Sequence, residues 1–158
     1  MSSGSDQRPG LLPPSTNGDY RGSPLAPWFL ALAGVLTIVP GLIHSFAPDG
    51  GAGVIAHLDM GDRRDLVIAV FRWEGATQLA LAVPMLAVAL RYRPLVPLML
   101  VAVMVERGLM ALQGWVLSPP ASGHHPPEHY ASVVTVVLAA VFLVLALRPR
   151  RTPSAQEV

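Results

Sequence analysis

Two long apolar stretches of the chain carry groups that a lipid-facing helix would not leave in hydrocarbon. Leu66–Leu90 contains Arg72, Glu74 and Gln78, and Pro94–Leu117 contains Glu106, Arg107 and Gln113. An ionised group at a helix centre costs roughly 2.5–3.5 kcal/mol on insertion scales. A Leu or Val returns only about 0.3–0.6 kcal/mol on the same kind of scale. Both stretches must therefore turn their charges inward. With a helix rise of about 1.5 Å per residue, Glu74 lies roughly 12 Å and Arg107 roughly 15 Å below the same face, which predicts that these two meet. At about 100° per residue, Glu74 shares a helix face with Gln78, and Glu106 shares one with Met110 and Gln113. Arg72 points away from Glu74, so its long stem is expected to reach outward or toward the first or fourth helix.

Two kinds of chemistry fit such a constellation. One is an interhelical ion-pair and amide network that fixes helix register. The other is a polar cavity opening outward, lined by His44, Arg72, Glu74, Gln78, Glu106, Arg107 and Gln113. In that cavity Arg72 or Arg107 would bind a carboxylate or anionic head group, and Glu74 or Glu106 would carry a proton. A third candidate is the run His124-His125-Pro126-Pro127-Glu128-His129. His124, His125 and His129 have the ligand type for zinc, nickel or copper, although two prolines stiffen the run and its spacing matches no fixed zinc motif. The plainer reading makes it a solvated loop, with Glu128 complementing the dipole at the start of the next helix. His57 reads as an interfacial residue.

The elements that must position these residues follow from composition and pattern. The 158 residues are 52% hydrophobic and only 13% charged, against about 25% charged in a soluble domain. There is no cysteine, which excludes disulfides, thiolate metal sites and a thiol nucleophile. All eleven basic residues are Arg, and the net charge of +1 offers no footprint for nucleic acid. Walker, GxSxG, HExxH and CxxC motifs are absent, and the sequence leaves the cofactor unknown. Four spans are expected, at about 25–46, 66–90, 94–117 and 130–147, each suited to a hydrocarbon core about 30 Å thick. They predict an all-α fold, an antiparallel integral membrane four-helix bundle. Residues 1–24 and 148–158 read as disordered polar tails. Val54–Met60, in the first connection, is expected to form a short interfacial helix.

Orientation follows from the arginines. Arg8, Arg21, Arg91, Arg93, Arg148, Arg150 and Arg151 fall on one side, and only Arg63 and Arg64 on the other. The positive-inside rule puts both termini in the cytoplasm.

The segments RWEGATQLALA (Arg72–Ala82) and ERGLMALQG (Glu106–Gly114), set within four spans from about Pro27 to Leu147, resemble the DoxX-like group of small bacterial four-helix membrane proteins. The resemblance implies a bacterial cytoplasmic membrane. It also implies a place among mostly uncharacterised proteins, some of which are membrane partners of redox enzymes. The expected role is a membrane subunit or a lipid- or small-molecule-binding bundle, with a homo-oligomer or a membrane-protein partner. The rival expectation is a membrane-embedded enzyme or proton-coupled carrier using Arg72, Glu74, Glu106 and Arg107.

Overall fold

A computed structural model describes residues 11–121 and 123–149. Among them every regular element is helical: α1 (Leu25–Phe46), α2 (Arg64–Arg91), α3 (Val96–Leu112) and α4 (Pro127–Leu147). Short 3-10 turns cover Asn17–Asp19, Gly61–Arg63 and Arg93–Leu95, and a wider π-helical turn, Gln113–Leu117, ends α3. Four helical stretches are long and apolar enough to cross a membrane.

Prolines set several of the boundaries. Pro127 is the first residue of α4, where its missing N–H costs nothing and its fixed φ suits a helix. The helix therefore begins three residues earlier than the expected 130 and takes in Glu128. Pro40 and Pro84 lie inside α1 and α2, as membrane helices tolerate.

α1 packs chiefly on α2 and α3 chiefly on α4, while α2 and α3 barely touch. Small residues bring α1 and α2 close. A Cβ built on Gly34 would lie 3.3 Å from Met85, one on Gly41 3.1 Å from Leu79, and one on Gly75 2.7 Å from the carbonyl oxygen of Gly41. Phe29 of α1 stacks on Phe142 of α4 with centroids 4.2 Å apart.

The interior divides along its length. One end is apolar, with Ala26, Leu30, Met85, Val88, Val96, Leu100, Ala139 and Ala146 buried together. Toward the other end the buried residues include Gln78, His44, Arg107 and Ser132. The outer faces are apolar as well, with Leu36, Val83, Leu98 and Val137 all exposed. That is the reverse of a water-soluble surface, where large apolar patches are rare.

The chain before α1 departs from expectation. Residues 11–24, expected as part of a disordered tail, lie against the turn between α2 and α3. Pro13 O accepts hydrogen bonds from Arg91 Nε (3.1 Å) and Tyr92 Oη (2.9 Å). Asn17 donates from Nδ2 to Leu90 O at 2.7 Å and accepts from Arg93 N–H at 3.2 Å. Ser23 N–H donates to Leu145 O at 3.1 Å. The Asn17 side chain thus satisfies a carbonyl at the end of α2, and the Ser23 N–H one at the end of α4, that no helical partner satisfies. The rest of that expected tail, residues 1–10, and residues 150–158 of the other lie outside the described residues.

The connection after α1 also differs, because Val54–Met60 forms turns and irregular chain instead of a helix. Asp49 organises it. Its carboxylate accepts from the N–H groups of Gly51 (2.8 Å), Gly53 (3.0 Å) and Val54 (2.8 Å). Gly50 and Gly51 take positive φ, 62° and 81°, which a side chain would oppose.

Candidate functional site

The site forms where α1, α2, α3 and α4 converge in the polar half. Its centre is Glu128, in the first turn of α4. Arg107 Nη1 donates to Glu128 Oε1 at 3.0 Å, and Gln78 Nε2 donates to the same oxygen at 3.1 Å. His44 Nε2 stands 3.6 Å from Glu128 Oε2. Three helices thus converge on a carboxylate supplied by the fourth. Ser132 donates to the Glu128 backbone carbonyl at 2.8 Å, one turn on.

Two more carboxylates surround this centre. Glu106 Oε2 lies 2.9 Å from Arg107 Nε. The pair is close as ions, but the N–H is not in line for a hydrogen bond. Glu74 Oε1 accepts from Gln78 Nε2 at 3.2 Å, the ordinary reach of side chains four apart on a helix. Arg107, with its side chain 9% exposed, thus pairs with two of these three carboxylates, Glu106 and Glu128. Glu74 has no cationic partner among the described residues.

Gln78 is 2% exposed, and its amide orientation follows from chemistry. Its nitrogen faces two carboxylate oxygens, so a flipped amide would set oxygen against oxygen. That leaves Gln78 Oε1 buried without a hydrogen-bond partner, which is uncommon for a buried acceptor. Beside it a cavity of about 200 Å³ opens between α2 and α3, lined by Glu74, Thr77, Gln78, Leu81, Glu106 and Met110. It exists because α2 and α3 pack on other partners rather than on each other.

His44 links the site to the loop after α1. Its Nδ1 is 2.6 Å from Gly50 O, so Nδ1 carries the proton, a carbonyl being only an acceptor. Nε2 then faces Glu128, and a proton on either partner relieves the opposition of a lone pair and an anion.

Several expected residues fall elsewhere. Glu74 and Arg107 do not pair, because Arg107 turns to Glu106 and to Glu128 of α4, its packing partner, while Glu74 stays across the cavity. Arg72 is exposed and outside the cluster. Its neighbour Phe71 packs on His44 and Gly50, so this part of α2 is level with the end of α1 and the loop beyond it. Gln113 is exposed in the π-helical turn. His44, Glu74, Gln78, Glu106 and Arg107 do converge.

Of the three histidines expected to bind metal, His125 and His129 meet and His124 lies toward another partner. His125 stacks on Trp115 at 3.9 Å and its Nδ1 lies 3.0 Å from Nδ1 of His129. His124 lies toward His57, ring centroids 6.2 Å apart. Among the described residues no three His, Asp or Glu side chains are grouped to hold a metal ion. The His125 ring lies between Trp115, on which it stacks, and His129 in the first turn of α4.

Sequence reasoning set Glu128 at the start of the fourth helix, complementing its dipole, and missed its place at the centre of the site. The available signal was Pro127. A proline at the first helical position puts Glu128 inside the helix, one turn before an apolar span.

Comparison with family models, with curated proteins and with solved structures found no match.

Proposed function

We propose that the chain is an integral membrane protein, an antiparallel four-helix bundle whose polar half binds a small molecule without transforming it. The observation that carries this reading is the cavity between α2 and α3, with Glu74, Gln78 and Glu106 on its wall. A network serving helix register alone would have its charges matched and its polar atoms satisfied. Here Gln78 Oε1 is orphaned, and the carboxylates outnumber the guanidinium. The antiparallel arrangement is supported by the order of contacts between α1 and α2, where Gly34 lies against Met85 and Gly41 against Leu79. The membrane setting is supported by four apolar helices with apolar outer faces. We place the bundle in a bacterial cytoplasmic membrane as a DoxX-like protein, with both termini cytoplasmic and the cavity toward the outer side.

Glu74→Gln tests the reading, because it removes surplus charge and breaks no ion pair. Folded yield should hold while a molecule retained by the native protein, seen by native mass spectrometry after gentle solubilisation, disappears. Equal loss of yield in Glu74→Gln and Arg107→Gln would mean that the cluster is structural only.

One observation favours a second reading, a proton-coupled carrier. His44, fixed by Gly50 O, faces Glu128 with room for one shared proton. Neutralising Glu128 would then abolish proton-driven uptake into vesicles and leave binding at Glu74 in place.

A further inference from the structure

We infer that the cavity between α2 and α3 binds a protonated primary amine with a short apolar tail. The inference rests on the binding reading above and names the ligand class. Gln78 spends both N–H groups on Glu74 and Glu128. The Thr77 hydroxyl donates to the Glu74 backbone carbonyl at 2.8 Å, so its proton is also spent. What remains on the wall are acceptors: Glu74, Glu106 and the Thr77 lone pairs, with the orphaned Gln78 Oε1 buried behind them. A site made only of acceptors recognises a group made only of donors, and an ammonium brings three N–H donors and no acceptor.

Charge points the same way. Arg107 is shared by Glu106 and Glu128, which leaves Glu74 uncompensated within a membrane-spanning helix. An isolated carboxylate there is costly, and one cation on Glu74 offsets that cost. The described residues place no group of His, Asp and Glu side chains fit to hold a metal ion, which favours a cation that binds through N–H donors.

Size and polarity set the remainder. The cavity of about 200 Å³ falls short of the roughly 300–1,000 Å³ of drug-sized sites. It has room for roughly six or seven water-sized groups at about 30 Å³ each. Leu81 and Met110 complete the wall and would cover a short alkyl chain while the ammonium meets the carboxylates.

The test is calorimetric titration of the full chain in lipid nanodiscs with n-butylammonium, tetramethylammonium and n-butanol. Butylammonium should bind at one site, and at least about tenfold more weakly in Glu74→Gln, as expected when a charge-assisted hydrogen bond is lost. Arg72→Gln, outside the cavity, should bind as the native chain does. Equal binding of tetramethylammonium would overturn the requirement for N–H donors, and equal binding of butanol the requirement for charge. Both comparisons use the native chain and do not depend on any variant folding.

Absence of butylammonium binding also overturns the inference, and a second measurement then separates it from the reading beneath. The chain has no cysteine, so Leu81→Cys, at a half-buried position, places a single thiol on the cavity wall. Labelling of that thiol by a small neutral reagent would leave an accessible cavity with the wrong ligand assigned. A thiol that resists labelling in folded protein would remove the cavity and both proposals with it.

Discussion

At the scale of single residues, Arg107 and Arg72 make a controlled contrast. Both lie in apolar helices, but Arg107 is buried against two carboxylates and Arg72 is exposed. Arg107→Gln leaves Glu106 and Glu128 without their cation, and removing one partner of a buried pair costs roughly 3–5 kcal/mol. Arg72→Gln should fall within about 0.5 kcal/mol of the native chain, as surface changes do. Thermal unfolding of the two variants in one detergent checks both, and a similar loss in each would contradict the arrangement at Glu128. Much of the site's membership was legible in the sequence, because polar residues inside apolar helices have few places to go. Who pairs with whom was not. Helix depth set Glu74 and Arg107 at one level, but depth carries no information about which helices are packing partners. Arg107 faces α4, and Glu128 was waiting there one residue inside a helix whose start had been placed three residues late.

At the scale of elements, glycine shows how the pairs are made. Gly75 lies where α2 crosses α1, and a Cβ there would be 2.7 Å from the Gly41 carbonyl oxygen and equally close to Ser45 N. Backbone cannot give way as a flexible side chain can, so Gly75→Ala should cost about 1–3 kcal/mol by overpacking. Gly108 of α3 has nothing within 4 Å of such a Cβ, and Gly108→Ala should be neutral or stabilise by up to about 1 kcal/mol through helix propensity. Comparing the two melting temperatures reads this out directly. The loop after α1 adds a pH dependence. The N–H groups of Val54, Gly51 and Gly53 hold the Asp49 carboxyl below its ordinary value. A lowered folded-state pKa means the stabilisation is present above the unfolded value, about 3.9, and is lost as pH falls through the lowered one. Amide exchange at Gly51, Gly53 and Val54 should therefore gain less protection than neighbouring helix amides below about pH 4, and Asp49→Asn should lose that protection already at neutral pH. An Asn retains one acceptor oxygen where the loop uses two. The sequence marked this segment as a break through its glycines. A helix was expected over Val54–Met60, but the hydrogen bonds that matter run to the Asp49 side chain, which apolar periodicity does not register.

At the scale of the whole molecule, the two ends differ in kind. The end that gathers residues 11–24, the turn between α2 and α3 and the close of α4 is tied by hydrogen bonds from Asn17 to Leu90 and from Ser23 to Leu145. It encloses the apolar core and carries Arg91, Arg93 and Arg148. The other end holds the loop around Asp49, the histidine-rich connection and the polar site. Helix depth placed Glu74 and Arg107 toward one face, so the polar half was legible in the sequence. The number of spans was equally legible, since each helix is apolar on its outer face as well as its inner one and stands out by composition alone. What composition leaves undecided is which helices embrace. The consecutive pairs α1–α2 and α3–α4 pack while the equally consecutive α2 and α3 do not, and that asymmetry creates the cavity. Topology is therefore the property on which the remaining prediction turns. If the arginine-rich end is cytoplasmic, a C-terminal alkaline phosphatase fusion should be inactive, and the same reporter inserted at Ser118, after the third span, should be active. The reverse pattern would place the cavity on the cytoplasmic side, and any cation drawn to Glu74 would then come from within the cell.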